Sequence, residues 1–263
     1  MIKQFIKTAI FFLIITITFS AEAEDAPLTG KQIMTMVDDR PDGDDRISNI
    51  TMTLINKRGR KRVREIKSFS KDFGKDKKSV MVFEKPADVK GTAFLSWEYD
   101  ATEKEDDKWL YMPAMKKVRR ISGASKNEYF MGSDFTYDDM GDRNVEEDTH
   151  KLLSEEDVDG RVCWKIESVP VDKDDMYTRK VIWVLKSAYL IIRAEYYDKD
   201  GLIKIYRALE FRKQDGLWTV FNSEMDNVSL SHKTLLKVDS VQYNTGINDS
   251  LFTVSAIQRG RIK

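Results

Sequence analysis

Cysteine is nearly absent from this chain of 263 residues, and Cys163 is the only one. A single cysteine excludes an internal disulfide and leaves stability to the burial of apolar surface. Set between Val162 and Trp164, it reads as a small buried hydrophobe, which sets redox chemistry aside. Histidine is equally scarce, with only His150 and His232. Neither lies in an H-E-x-x-H motif and no serine sits in G-x-S-x-G, so the usual base-activated hydrolases have no foothold. Phosphate loops, zinc spacings and dinucleotide fingerprints are missing too. Asp38–Gly43 superficially resembles a calcium loop, but Arg40 stands at the third ligand position and Asn49 replaces the closing glutamate, so a solvated turn fits better. No enzyme, metal site or cofactor is therefore expected. Charge of one sign is also lacking: 44 Lys+Arg balance 44 Asp+Glu, which argues against a dedicated nucleic-acid binder. With only five prolines there is no Pro/Ser-rich linker, and no repeat of fixed period appears, so one domain is expected.

Long apolar runs are limited to one. Residues 8–19 are apolar and Thr-rich, follow a basic head with Lys3 and Lys7, and precede Ala21-Glu22-Ala23. A run this short falls below the ~20 residues a helix needs to span a bilayer. The order of basic head, apolar core and small residues is that of a cleaved secretory signal peptide over residues 1–23. No cysteine follows the cut, so residues 24–263 are expected as an exported domain without a lipid anchor. Removing Lys3, Lys7 and Glu22 leaves 42 bases against 43 acids, a net charge of about −1.

What the chain does have is a sustained two-residue period. Leu28–Asp39 predicts one short amphipathic helix, with Thr29 placed to cap it. From Asp45 onward apolar and polar residues alternate. Strands are predicted around Ile50–Leu54 and at Arg62–Phe69, Ser79–Phe83, Thr92–Tyr99 and Lys108–Met112. The second half repeats the texture at Arg161–Val169, Arg179–Leu185, Leu190–Tyr197, Ile203–Phe211, Trp218–Met225 and Thr234–Tyr243. Asp159-Gly160, Asp200-Gly201 and Asp215-Gly216 mark hairpins, because Asp-Gly readily takes the positive φ such turns need. Only Gly132–Glu147 breaks the pattern, as an irregular insert. The expected class is α+β, mostly β. It is one strongly curved antiparallel sheet of about ten strands, with the helix and the insert on its concave side.

Large adaptable side chains concentrate near the middle of the chain. An open half-barrel has few helices to fill its hollow, so its inward positions suit a flexible apolar ligand such as lipid. The expected lining is Met52, Leu54, Leu95, Trp97, Trp109, Tyr111, Met131 and Phe135. Leu95 and Trp97 share one side of their strand, as do Trp109 and Tyr111. Two basic runs stand apart, 57–64 with Arg60, Arg62 and Arg64, and 116–120 with Arg119 and Arg120. They read either as solvated edges that resist aggregation or as docking points for anionic headgroups or an acidic partner. Acids Asp138, Asp139, Asp142, Glu146, Glu147 and Asp148 follow, placed to neutralise the second run.

Three blocks, Pro86–Leu95, Asp107–Ile121 and Phe130–Asp139, closely resemble the outer membrane lipoprotein-sorting proteins of the LolA-like superfamily of Gram-negative bacteria. Ala194–Asp198 and Asp249–Thr253 fit the same pattern, so the resemblance covers essentially the whole exported chain. It implies an unclosed β-barrel with helices over its open side, an apolar cavity for acyl chains, a periplasmic location and no enzymatic activity. The function it implies is a carrier of lipid or lipoprotein acyl chains. The alternative is a lipid-sensing or accessory subunit of an inner-membrane RND-type transporter or signalling protein.

Overall fold

The computed structural model describes residues 27–262, so the leader expected at 1–23 lies outside the described residues. The expected helix is present as α1 (Gly30–Asp38). Thr29 caps it by a reciprocal exchange: its Oγ1 accepts the Gln32 N–H at 3.2 Å, and Gln32 Oε1 accepts the Thr29 N–H at 2.8 Å. Six strands follow, β1 (Asp45–Ile55), β2 (Lys61–Phe73), β3 (Asp76–Lys85), β4 (Ala93–Glu98), β5 (Asp107–Met112) and β6 (Lys117–Ile121). After an irregular insert over residues 122–147 come β7 (Asp148–Val158), β8 (Arg161–Pro170), β9 (Arg179–Leu185) and β10 (Leu190–Asp198). The last three are β11 (Gly201–Gln214), β12 (Leu217–Asn227) and β13 (His232–Tyr243), and a short α2 (Val254–Gln258) closes the chain.

All thirteen strands join one antiparallel sheet in the order β6-β5-β4-β3-β2-β1-β13-β12-β11-β10-β9-β8-β7. The class matches the expectation, but the strand count exceeds the predicted ten. The two edge strands escaped the periodicity for the same physical reason. Lys117-Val-Arg-Arg-Ile121 and Asp148–Val158 are largely exposed and charged, which blunts an open edge against mispairing and erases the apolar alternation. The irregular insert is also longer than predicted, beginning at Ser122 rather than Gly132.

The insert connects β6 directly to β7, the two edges of the sheet. Neighbouring strands lie about 4.8 Å apart, so laid flat the two edges would be nearly 60 Å from one another. A turn-rich insert that folds back on itself reaches that far only if the sheet curls and brings its edges closer. Insert and α1 lie on one face, hereafter the inner face. There Ile33 of α1 packs on Trp164, Ile166, Ile182 and Val184, and Lys31 meets Glu146 of the insert at 2.7 Å.

The outer face of the β2–β5 half has a separate cover. Phe69, Val80 and Leu95 are buried beneath Ile247, Phe252 and Ile257 from the chain's last segment. One carboxylate fixes that segment to the start of β1. Asp45 accepts hydrogen bonds from the Thr245 N–H (2.7 Å), the Thr245 hydroxyl (2.8 Å), the Gly246 N–H (2.7 Å) and the Ile247 N–H (3.0 Å). Burial acts to raise its pKa, but these donors outweigh burial and hold it below the ordinary carboxylate value. A lowered folded pKa contributes stability above the unfolded value, and that stability is lost as pH falls through the folded value. Asp45→Ala is expected to cost about 3 kcal/mol at pH 7, measured by denaturant unfolding, with the loss shrinking below pH 4.

Candidate functional site

The inner face of the β1–β6 half is apolar. Met52 and Leu54 of β1, Ile66 of β2, Phe83 of β3, Phe94 of β4, Leu110 of β5 and Ile121 of β6 form a buried cluster. Its roof is the insert, which lowers Phe130 and Tyr137 onto the strands. Phe130 sits 5.2 Å from the Phe94 ring and 5.9 Å from Phe83, and meets Tyr137 edge-on at 5.5 Å. Met131 and Met140 of the insert and Met81 and Met112 of the strands surround this contact. The insert therefore plugs an apolar surface with aromatic and thioether groups.

How the plug is attached sets it apart from the strands. Every backbone–backbone hydrogen bond made by residues 123–143 stays within the insert, such as Phe130 N–H to Phe135 C=O at 2.7 Å and Tyr137 N–H to Glu128 C=O at 3.1 Å. Its polar links to the strands all use side chains. Asp134 accepts the Thr234 hydroxyl at 2.7 Å and pairs with His232 Nδ1 at 2.7 Å. Asp138 pairs with Lys108 at 3.1 Å. Asp139 takes Lys204 and the Tyr177 hydroxyl, the latter at 2.9 Å. Arg64 donates to the Met131 carbonyl, and Asn227 donates to the Tyr129 hydroxyl at 3.0 Å. Lys108 and Lys204 are almost fully buried, so their partners are obligatory.

Beyond the plug a cavity of about 540 Å³ opens between α1, the insert and the sheet. Its walls carry charge rather than the apolar lining expected from the sequence, with Asp38, Asp72, Glu98, Asp142, Lys77 and Lys180 among them. Glu98 is the most perturbed of these acids. Burial, then the charge of Asp142, push its pKa up to about 7, while the Ser96 hydroxyl (2.9 Å) and the Asp142 N–H pull the other way. Gly141 permits this approach: a Cβ there would stand 3.0 Å from Glu98 Oε1 and 3.3 Å from Lys108 Nζ. Lys77 reaches both Asp42 and Asp142 at 2.8 Å. No cluster suited to a metal ion occurs among the described residues. Cys163 is buried, and burial pushes its thiol up to about 11.

The eight residues expected to line one cavity divide between two faces. Met52, Leu54 and Met131 belong to the inner cluster, and Phe135 is buried within the insert. Leu95, Trp97, Trp109 and Tyr111 lie on the outer face under the C-terminal segment, where Trp97 donates to the Phe252 carbonyl at 3.0 Å and meets Trp109 at 5.1 Å. Ile66, Phe83, Phe94 and Leu110 were missed. Strands β4 and β5 carry apolar residues on both faces, so alternation held no sign of which face looked inward. Of the five arginines, Arg119 pairs with Glu128 at 2.6 Å and Arg120 with Asp107 at 2.5 Å. Arg64 is half-buried over the Phe83 ring. Arg60, Arg62 and Arg64 have no acidic partner within ion-pair distance among the described residues, and Arg64 donates to the Met131 carbonyl instead. The acids Asp138 and Asp139, expected to neutralise the second run, instead hold Lys108 and Lys204.

A family model described as uncharacterized protein-like matches residues 75–259. A DUF1329 family protein from Desulfovibrio piger is 37% identical, with a TM-score of 0.83 over 87% of this chain and 97% of that one. A structure described as an outer membrane lipoprotein-sorting protein domain, from Vibrio parahaemolyticus, is 31% identical, with a TM-score of 0.82 over 88% and 98%. A LolA superfamily protein from Nitrosomonas europaea, at 20% identity, shares the fold with a TM-score of 0.68 over 87% and 99%. No curated protein matches the sequence.

Glu98 supplies a test of the electrostatics at the seam between insert and sheet. Its folded pKa lies above the unfolded value, so the folded state binds the extra proton and stability falls as pH rises from about 4.5 to about 7. Glu98→Gln is expected to raise the melting temperature at pH 8 and leave it nearly unchanged at pH 4.5. Equal melting shifts at both values would mean that Glu98 carries no buried charge.

Proposed function

From the family to which this chain belongs, the DUF1329 outer membrane lipoprotein-sorting proteins of the LolA-like superfamily, we propose that it is a carrier of lipid or lipoprotein acyl chains in the periplasm. The observation that supports this reading most is the insert's attachment. An apolar surface is covered by a segment that shares no backbone–backbone hydrogen bond with the sheet over residues 123–143. Such a cover leaves as a unit, breaking ion pairs that are readily remade with water, while the strands keep their ladder.

In this reading the acyl chain takes the place of Phe130 and Tyr137 against Met52, Leu54, Ile66, Phe83, Phe94 and Leu110. Plug and cargo then compete for one surface, which keeps affinity moderate and permits release. The methionines at the margin repack around chains of different shape. The charged cavity beyond the plug suits the polar end of the ligand and disfavours a second apolar chain.

Each buried methylene contributes ~0.8 kcal/mol, about fourfold in affinity. Titration with fatty acids of increasing length, followed by binding calorimetry, is expected to show affinity climbing with length until the inner face is covered. Flat affinity across lengths would contradict a carrier.

The lid itself is tested by tethering. Asp134 and Thr234 touch across the seam, the Asp134 N–H donating to the Thr234 hydroxyl at 2.9 Å. Asp134→Cys with Thr234→Cys, in a Cys163→Ala background, is expected to slow exchange of a fluorescent lipid at least tenfold when oxidised. Reduction should restore the rate. Exchange at one speed in both redox states would place the entry route elsewhere.

A further inference from the structure

The turns joining β1 to β2, β3 to β4, β5 to β6 and β12 to β13 all project from one edge of the sheet, because β1 pairs antiparallel with both β2 and β13. At this edge lies a second cavity, of about 480 Å³, between two hairpin tips and the insert. Lys57, Arg58 and Arg60 line it from the β1–β2 tip, Leu230 from the β12–β13 tip, and Tyr129 and Asp134 from the insert. Lys57, Arg58, Arg60, Lys61 and Arg62 form no ion pair among the described residues, in contrast to Arg119 and Arg120 of the other basic run.

Both tips are held in place rather than loose. Asn56 Oδ1 accepts the N–H groups of Arg58 (3.0 Å) and Arg60 (3.1 Å), so the bases radiate from a closed turn. Asn227 Oδ1 accepts the Leu230 N–H at 3.1 Å, which fixes an apolar side chain in solvent. Leu230 is 55% exposed, Val63 of β2 51%, and Met115, at the β5–β6 tip next to Lys116 and Lys117, 56%. Asp88 of the β3–β4 turn lies at this end, and Asp134 is already engaged by Thr234 and His232. The acids of the β8–β9 and β10–β11 turns, Asp172, Asp174, Asp198 and Asp200, project from the same strand ends in the other half of the sheet.

We propose that this edge docks end-on to an anionic phospholipid bilayer, with the lipid phosphate seated among Lys57, Arg58 and Arg60 and with Leu230 and Met115 entering the headgroup region. Bases alone would equally suit an acidic protein. Exposed Leu230, Val63 and Met115 set among them favour a bilayer, which offers negative charge and an apolar boundary together. The position deepens the carrier reading, on which it rests for its purpose. Three links of the insert end at this edge: Asn227 to Tyr129, His232 and Thr234 to Asp134, and Arg64 to the Met131 carbonyl. Docking therefore brings the seam of the cover against the membrane, where an acyl chain leaves or enters.

Flotation of the exported chain with vesicles tests this. Binding is expected to phosphatidylglycerol-containing vesicles and not to pure phosphatidylcholine, weakening as salt rises. Each base near an anionic surface contributes ~1 kcal/mol, roughly fivefold. Lys57→Gln with Arg58→Gln and Arg60→Gln should thus lower vesicle affinity about a hundredfold. Leu230→Glu should lower it without changing the number of bases. Arg119→Gln with Arg120→Gln, an equal kind of charge loss on the other run, should leave it nearly intact. Absence of binding to anionic vesicles, or equal losses in the two arginine variants, would overturn the proposal, and the former would point to an acidic protein instead. Fatty-acid affinity of the triple variant, measured without vesicles, separates the two readings. Docking without fatty-acid binding would sink the carrier and spare the docking edge, and the reverse result would sink only the docking edge.

Discussion

An open sheet of thirteen strands leaves two edges and one apolar inner face, and a single connection must deal with all three. That connection, residues 122–147, joins edge to edge and lies over the face between. Its grip is a set of charge-assisted contacts to buried lysines, Lys108 and Lys204 foremost, with Asp138 and Asp139 as partners. Burying a lysine costs several kcal/mol that the ion pair only offsets, so these pairs contribute register more than stability. They say where the insert sits when it is down. What it gains by sitting there is the contact of Phe130 and Tyr137 with Phe83 and Phe94. Any other apolar body of similar size replaces that gain, because the hydrophobic term is non-directional.

The two faces of the β1–β5 half are closed by separate covers. On the outer face, Asp45 accepts four hydrogen bonds from three consecutive residues, and Trp97 donates to the backbone of the segment it packs against. That cover is tied to the main chain at two places. On the inner face ties of the same kind recur, from Arg64 to the Met131 carbonyl, from Lys204 to the Asp134 carbonyl and from the Asp134 N–H to Thr234. The inner cover differs in resting on ion pairs to the buried Lys108 and Lys204, and in the carrier reading it is the conditional surface. The conditional one faces the charged cavity on one side and the basic hairpin edge on the other, so a ligand with an apolar tail and a polar head finds complementary surroundings for each part.

Much of this was legible in the sequence where one physical signal dominated. The capped helix at Leu28–Asp39 and the turns at Asp159-Gly160 and Asp215-Gly216, with φ of 54° and 77° and of 52° and 84°, follow from local chemistry. Inner and outer faces were not legible in β4 and β5. Ala93-Phe-Leu-Ser-Trp-Glu98 is buried on both sides, and a strand covered twice has no polar side to mark its orientation. The large aromatics Trp97 and Trp109 drew the expectation to the outer face, whereas the inward groups are Phe94 and Leu110. The ion pairs of the insert were illegible for another reason: Asp139 and Lys204 lie 65 residues apart and meet only through the closure of the sheet. A basic run and an acidic run close in sequence invite pairing with one another, yet curvature gave each a different partner.

The central claim is that residues 123–143 form a cover less stable than the sheet beneath it. Native-state hydrogen exchange, resolved by residue, tests it most directly. The amides of Phe130 and Tyr137, bonded only within the insert, should exchange through an opening several kcal/mol cheaper than global unfolding, while those of β1 to β4 exchange only with it. Exchange of the insert amides at the same free energy as the strands would show that the cover opens only when the fold does, and the account would fail.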